Sequence, residues 1–124
     1  MSAANRQPAV APEAVLAKAV LNAAGRLELR QRQIATILGA SEASISRLAR
    51  GRGIDPSSKE GELALLFLRL YRSLDTLVGG DDAQARAWLG ATNDHLGGAP
   101  VERIATVQGL LDVVQYLDAM RGRF

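Results

Sequence analysis

The chain has 124 residues and a mass of 13.2 kDa, which is enough for one compact domain or for two small helical units that share a core. Apolar residues make up 48% and charged residues 23%, a globular composition that excludes a largely disordered chain. With no Cys and one His, the chain lacks the residues for a disulfide scaffold, a thiolate metal site or a three-His site. We therefore predict no catalysis, no metal and no cofactor.

Charge is distributed unevenly, although the formal net charge is only +2. Residues 26–52 contain six arginines and two acidic residues, whereas residues 53–124 contain seven basic and ten acidic residues. A basic block followed by an acidic half favours a polyanion as the partner of the first part and a different partner for the second. No apolar run approaches the roughly 20 residues that a membrane-spanning helix needs, so we expect a cytoplasmic protein without membrane contact.

Helical periodicity runs through almost the whole sequence and predicts an all-α fold. Residues 1–12 carry two prolines among small and polar residues and are predicted to form a flexible arm. Amphipathic helices are predicted at residues 13–24, 30–38 and 42 to about 50. Gly25 and Gly39 stand where the first two helices should stop, and Ser41 is suited to cap the third. Residues 13–54 are predicted to form one unit.

The second half, residues 55–124, is predicted to form a helical domain around a long amphipathic helix at residues 58–78. Its capping and stop signals, in chain order, are Ser57 with Glu60, Gly79-Gly80, Asp81 or Asp82, and Pro100. The first pair predicts a capping box that opens the long helix, and the glycines should end it. One aspartate caps a short helix that ends near residue 89, and the proline begins a last helical stretch to about residue 120, with a bend at 106–109 left open.

Residues 31–50 have the pattern of a helix-turn-helix, in which two short helices pack across a tight turn. The positions expected to face the core are Ile34, Ala35, Leu38, Ile45, Leu48 and Ala49. Gly39 can take the left-handed conformation that ends the first helix, and Ser41 can cap the second. Each special position of the unit holds a suitable residue, which favours a DNA-binding role.

The outer face of the second helix of this unit would enter the major groove of DNA. Arg47 is the best candidate for a bidentate contact to guanine, and Ser46 can bond a base edge. Arg32, Arg50 and Arg52 are expected to neutralise phosphates. The predicted DNA-binding residues are Gln31, Arg32, Glu42, Ala43, Ser44, Ser46, Arg47, Arg50 and Arg52. A helical hairpin that packs without binding DNA is the open alternative.

A second pattern lies between residues 87 and 117. Its elements are Trp88-Leu89, Asn93, Leu96-Gly97-Gly98, Pro100, Gly109, Val113 and Leu117. In combination they resemble the toxin-binding domain of the Xre/MbcA/ParS-like antitoxins. The helix-turn-helix ahead of them lies where that family carries its Xre-type DNA-binding unit, so the resemblance covers roughly residues 15–124.

The resemblance implies a type II antitoxin. Such proteins typically neutralise a RES-type toxin, which degrades NAD, by covering the entrance to its active site with their C-terminal region, and many bind their own promoter. We expect a homodimer because one short recognition helix gives limited affinity and paired helices read two half-sites. The alternatives are a plain helix-turn-helix repressor whose second half only dimerises or senses a ligand, and a protein-binding module with a vestigial helix-turn-helix.

The end of the chain is the predicted toxin contact. The closing helix carries an apolar face that includes Val113 and Val114, and the chain ends in two arginines and a Phe. Arginines suit a pocket that normally holds phosphates or carboxylates. The predicted toxin-binding residues are Tyr116, Leu117, Met120, Arg121, Arg123 and Phe124. A core helix or a homodimer seam is the alternative for this face. His95 is interpreted as a turn residue, and Trp88 and Phe67 as core residues.

Overall fold

The computed structural model describes residues 11–122. Within this range the chain forms seven helices and no strand, which confirms the predicted all-α class. The helices are α1 (Pro12–Arg26), α2 (Gln31–Leu38), α3 (Glu42–Leu48), α4 (Lys59–Leu77), α5 (Asp82–Gly90), α6 (Pro100–Arg103) and α7 (Val107–Arg121). Most of the predicted arm lies outside the described residues, as do Arg123 and Phe124. No helix between residues 11 and 122 is long and apolar enough to cross a membrane.

The longest helix, α4, lies at the centre of the fold, as its apolar stripe predicts. Its buried residues are Gly61, Ala64, Phe67, Leu70, Ser73 and Leu74. It packs against α1 and α2 from the first half of the chain and against α5 and α7 from the second. The burial of Phe67 confirms its interpretation as a core residue. One continuous hydrophobic core therefore joins the two halves of the chain.

The end of α1 differs from the prediction. Gly25 does not stop the helix but lies in its last turn, where an added Cβ would meet no atom within 4 Å. The buried side chain of Leu27 continues the apolar face of the helix beyond that glycine. The chain then turns at Glu28, whose φ of 55° is left-handed, and the side chain of Glu28 pairs with Arg86 of α5 at 3.3 Å. The helix therefore ends at Arg26, two residues beyond its predicted end.

The turn between α2 and α3 has the predicted geometry. Gly39 ends α2 with a φ of 67°, and the Ser41 hydroxyl accepts a hydrogen bond from the N–H of Ser44 at 3.1 Å. The helix α3 ends at Leu48, about two residues before its predicted end. Ala49 is consequently exposed, and the prediction that it faces the core is wrong because the helical spacing stops before it.

The start of α4 also differs in detail from the prediction. Ser58, not Ser57, is the N-cap residue, and its hydroxyl accepts from the N–H of Gly61 at 3.0 Å. Ser57 donates its N–H and its hydroxyl to the carboxylate of Asp55, at 2.9 and 2.8 Å, which holds the pKa of that carboxyl below its usual value. The predicted capping box is therefore absent, and the side chain of Glu60 is used elsewhere.

The last helical stretch consists of two helices joined by a sharp corner. Thr106 caps α7 by accepting a hydrogen bond from the N–H of Gly109 at 3.0 Å. A Cβ at Gly109 would lie 1.7 Å from the carbonyl oxygen of Arg103, so the close approach of α6 requires glycine there. Further upstream, Asp81 rather than Asp82 caps α5.

The apolar face of α7 is part of the core. Its buried residues are Gly109, Leu110, Val113, Val114 and Leu117, and α7 packs along α4 more extensively than any other described pair of helices. The expectation that Val113, Val114 and Leu117 present a free apolar face is therefore wrong, because α4 already covers them. The alternative interpretation of this face, as core, is the one that the structure supports.

Candidate functional site

The helix α3 buries one face and exposes the other. Ile45 and Leu48 are 1% and 4% exposed and anchor the helix against its neighbours α1 and α2. On the outer side Glu42, Ala43, Arg47 and Arg50 are exposed, and Ser44 and Ser46 are half-buried. A short capped helix held this way can present its outer side chains to the major groove of DNA.

Three of the predicted DNA-binding arginines carry positive charge to the surface. Arg32 lies in the first turn of α2, Arg47 in the last turn of α3, and Arg50 in the turn that follows. All three side chains are exposed, and within residues 11–122 none of their guanidinium groups has a hydrogen bond or ion pair. Gln31, the first residue of α2, is exposed as well. Unpaired guanidinium groups of this kind are suited to bind phosphates or guanine.

Arg52, in contrast, is occupied by the protein itself. Its guanidinium makes a bidentate pair with the carboxylate of Glu60, with both N–O distances 2.9 Å. It also donates to the carbonyl oxygens of Ser44, at 3.0 Å, and Gly53, at 3.1 Å. The hydrogen bond to Glu60 raises the pKa of Arg52. The expectation that Arg52 binds a phosphate is therefore corrected: it ties the end of α3 to α4.

The structure separates the residues predicted to contact the toxin. Leu117 is fully buried between α7 and the rest of the core, so this part of the prediction is wrong. Tyr116 and Met120 are half-buried, and Arg121 is exposed. The last two predicted residues, Arg123 and Phe124, lie outside the described residues.

A polar cluster holds the end of α7 to α4. Asp118 accepts a hydrogen bond from the hydroxyl of Ser73 at 2.9 Å and forms an ion pair with Arg69. Ser73 is fully buried, and its hydroxyl accepts from the guanidinium of Arg121 at 3.1 Å. Arg69, Asp118 and Arg121 line an open depression, in which two arginines flank the single carboxylate of Asp118. The excess positive charge could bind a carboxylate or phosphate of a partner.

Three aromatic rings meet where α5 and α7 approach each other. The ring of Trp88 stacks on Tyr116, with centroids 6.3 Å apart and an interplanar angle of 23°. The imidazole of His95 tilts against Tyr116 from a distance of 5.7 Å at 31°. Trp88 is half-buried rather than a full core residue as predicted, and His95 is exposed in a turn. We call Trp88, His95 and Tyr116 the aromatic cluster.

The turn that carries His95 is closed by its own hydrogen bonds. Asn93 and Gly98 pair through both backbone groups, at 3.0 and 3.3 Å, and the Asn93 side chain accepts from the N–H of Leu96 at 3.2 Å. The side chain of Leu96 is buried, and Gly97 has a φ of 71° that favours glycine. These contacts hold the exposed imidazole in a defined position. The sequence marks the turn through its glycines but gives no sign that His95 contacts the ring of Tyr116.

The described residues offer two kinds of binding surface. Between residues 11 and 122 no group of three His, Cys, Asp or Glu side chains could hold a metal ion. The exposed arginines of α2 and α3 are suited to bind a polyanion. The aromatic cluster, and the depression lined by Arg69, Asp118 and Arg121, are suited to bind a protein.

Comparison with known families assigns both halves. Residues 7–69 match the antitoxin Xre-like helix-turn-helix domain, and residues 73–123 match the antitoxin Xre/MbcA/ParS C-terminal toxin-binding domain. The first match contains α1 to α3 and much of α4, and the second contains α5 to α7. No curated protein sequence matches the chain. The predicted order of a helix-turn-helix followed by a toxin-binding domain is confirmed, whereas the predicted boundary after residue 54 stays a prediction.

Proposed function

Because the chain belongs to the antitoxin family that joins an Xre-like helix-turn-helix to an Xre/MbcA/ParS toxin-binding domain, we propose that it neutralises a RES-type, NAD-degrading toxin and represses its own operon. The observation that carries the proposal is that one chain exposes two different binding surfaces. These are a set of unpaired arginines around α3 and an aromatic, partly acidic surface in the toxin-binding domain. The protein would act in the cytoplasm as a homodimer, with no catalysis of its own.

The DNA-binding part of the proposal is supported by the orientation of α3. Arg47 would contact guanine, because its side chain is exposed, and Ser46, which is half-buried, would contact a base edge. Arg32 and Arg50 would neutralise phosphates. The remaining residues of the proposed DNA contact are Gln31, Glu42, Ala43 and Ser44. A homodimer would place two copies of α3 about 34–36 Å apart, one turn of DNA, and so read two half-sites.

The toxin-binding part is supported by residues of the C-terminal domain that reach its surface. Tyr116, Met120 and Arg121 retain exposed surface at the end of α7, and the proposed contact continues into Arg123 and Phe124. The arginines and aromatic side chains of this proposed contact fit a cleft that binds the pyrophosphate and planar rings of NAD. Occlusion of that cleft would stop NAD degradation without any reaction by the antitoxin.

Co-expression with the protein encoded by the adjacent reading frame tests the antitoxin function. Expression of that protein alone should arrest growth and deplete NAD, and expression of both should restore growth and yield a co-purifying complex. No rescue and no complex would contradict the proposal and favour a plain repressor.

A second experiment tests DNA binding. The affinity of the protein for the DNA upstream of its gene should fall with rising salt, and an affinity independent of salt would contradict DNA binding.

A further inference from the structure

The aromatic cluster lies at the edge of the core, where Trp88 and Tyr116 pack against it and stay partly exposed. The core side of α7 is formed by Val113, Val114 and Leu117, which are fully buried against the rest of the molecule. Tyr116 lies beside that face, and its ring contacts both Trp88 and His95. Each ring of the cluster keeps exposed surface. Stacked rings that are fixed before binding lose little entropy when a partner covers them.

We propose that the aromatic cluster is the energetic centre of the contact with the toxin, which would cover it with an apolar slot rimmed by basic groups. This inference rests on the proposed function and assigns residues to it. The cluster lies within residues 73–123, which match the toxin-binding domain. Within an interface, buried Trp and Tyr side chains carry a large share of the binding energy.

The turn on which His95 lies supports a binding role. Its ends are paired through Asn93 and Gly98, and Leu96 fixes it to the core, so the exposed residues between them are held in place. A rigid turn that presents an exposed ring to solvent is a common way to build a contact surface.

Charge indicates the chemistry of the partner. Asp94, next to His95 in the same turn, is exposed, and within residues 11–122 its carboxylate has no hydrogen bond or ion pair. Residues 53–124 as a whole carry more acidic than basic side chains. The part of the complementary surface that faces Asp94 is therefore expected to be basic. A cleft that binds a dinucleotide pyrophosphate provides basic groups, and its slots for planar rings can accept aromatic side chains.

The test measures the dissociation constant between the full-length chain and the purified RES-type protein from the adjacent reading frame. Tyr116→Ala should weaken binding at least thirtyfold, and His95→Ala at least fivefold. Val107→Ala is the matched control, because Val107 is 62% exposed in the same domain and lies outside the cluster. Asp94→Asn should slow association and reduce its salt dependence. Thermal unfolding and binding to upstream DNA show whether each variant is folded.

The outcomes separate the two proposals. If the unaltered chain does not bind the toxin, the proposed function is wrong. If it binds but His95→Ala changes the dissociation constant less than twofold, the aromatic cluster is not the centre of the contact, and this holds even if Tyr116→Ala fails to fold. An association rate for Asp94→Asn equal to that of the unaltered chain would contradict the proposal that the toxin presents basic groups to Asp94.

Discussion

Replacing Arg52 by Ala should reduce stability and leave the contact with phosphates unchanged. Arg52 and Arg50 are neighbouring arginines in sequence, and both were expected to bind phosphates. In the structure Arg50 is exposed without a partner among residues 11–122, whereas Arg52 joins Glu60 and two backbone carbonyls. The pair Arg52→Ala and Arg50→Ala therefore separates a structural arginine from a candidate DNA-binding one.

The size of the effect follows from what Arg52→Ala leaves behind. The Glu60 carboxylate, with 21% of its side chain exposed, loses its cation, and the carbonyls of Ser44 and Gly53 lose a donor. Breaking a fully buried ion pair costs about 3–5 kcal/mol, and hydrogen bonds to charged groups contribute about 1.5–3 kcal/mol. Because solvent reaches both Arg52 and Glu60, we expect Arg52→Ala to lower the free energy of unfolding by about 2 kcal/mol. For a chain of this length that loss is equivalent to a fall of about 6–10 °C in Tm.

Urea unfolding measured by circular dichroism, or by the fluorescence of the single Trp, gives the loss of unfolding free energy. Arg50→Ala should change it by less than about 0.5 kcal/mol and lower the salt slope of DNA binding by about one. Arg52→Ala should leave that slope unchanged. In a double-mutant cycle with Glu60→Ala, the two losses should be strongly non-additive. The reasoning fails if Arg52→Ala is no less stable than Arg50→Ala, or if the cycle is additive.

Four other substitutions test three separate parts of the structure. Gly109→Ala should destabilise the fold by more than about 2 kcal/mol, because the added Cβ would lie 1.7 Å from the carbonyl oxygen of Arg103. A Tm unchanged within 2 °C would contradict the close packing of α6 against α7 at Gly109. Ser58→Ala should lower the free energy of unfolding by about 1 kcal/mol, and Ser57→Ala should lower it less. If urea unfolding gives the reverse order, Ser57 rather than Ser58 caps α4. Arg47→Ala should weaken DNA binding by about 1–3 kcal/mol and relax base preference, with stability unchanged. If a competition assay shows the same loss of affinity for all DNA sequences, Arg47 contacts a phosphate rather than a base.

Much of the fold could be predicted because its signals are local. The left-handed turn at Gly39, the cap at Ser41 and the long stripe of α4 depend on a few neighbouring residues, and the structure confirms each of them. Adjacent candidates could not be resolved in the same way. Ser57 and Ser58 both have the chemistry of an N-cap, and only the position of Asp55 decides between them.

The candidate sites depend on tertiary contacts that the sequence does not show. Nothing in the sequence indicates that Arg52 meets Glu60, so the sequence does not show that Arg50 and Arg52 differ in their contacts. An apolar helix face such as that of α7 fits either a core or an interface, and the packing of Leu117 against the core assigns it to the first. The contact of His95 with Tyr116 joins residues from a turn and a helix that no spacing rule connects.

The rate of NAD degradation by the RES-type protein, measured while the purified antitoxin is titrated in, tests the proposed function most directly. The rate should fall to background once the antitoxin equals the toxin active sites in number. Arg47→Ala should inhibit as well as the unaltered chain, because Arg47 belongs to the DNA-binding surface. An undiminished rate at excess antitoxin, or inhibition that is lost with Arg47→Ala, would contradict the division of the chain into a DNA-binding and a toxin-binding surface.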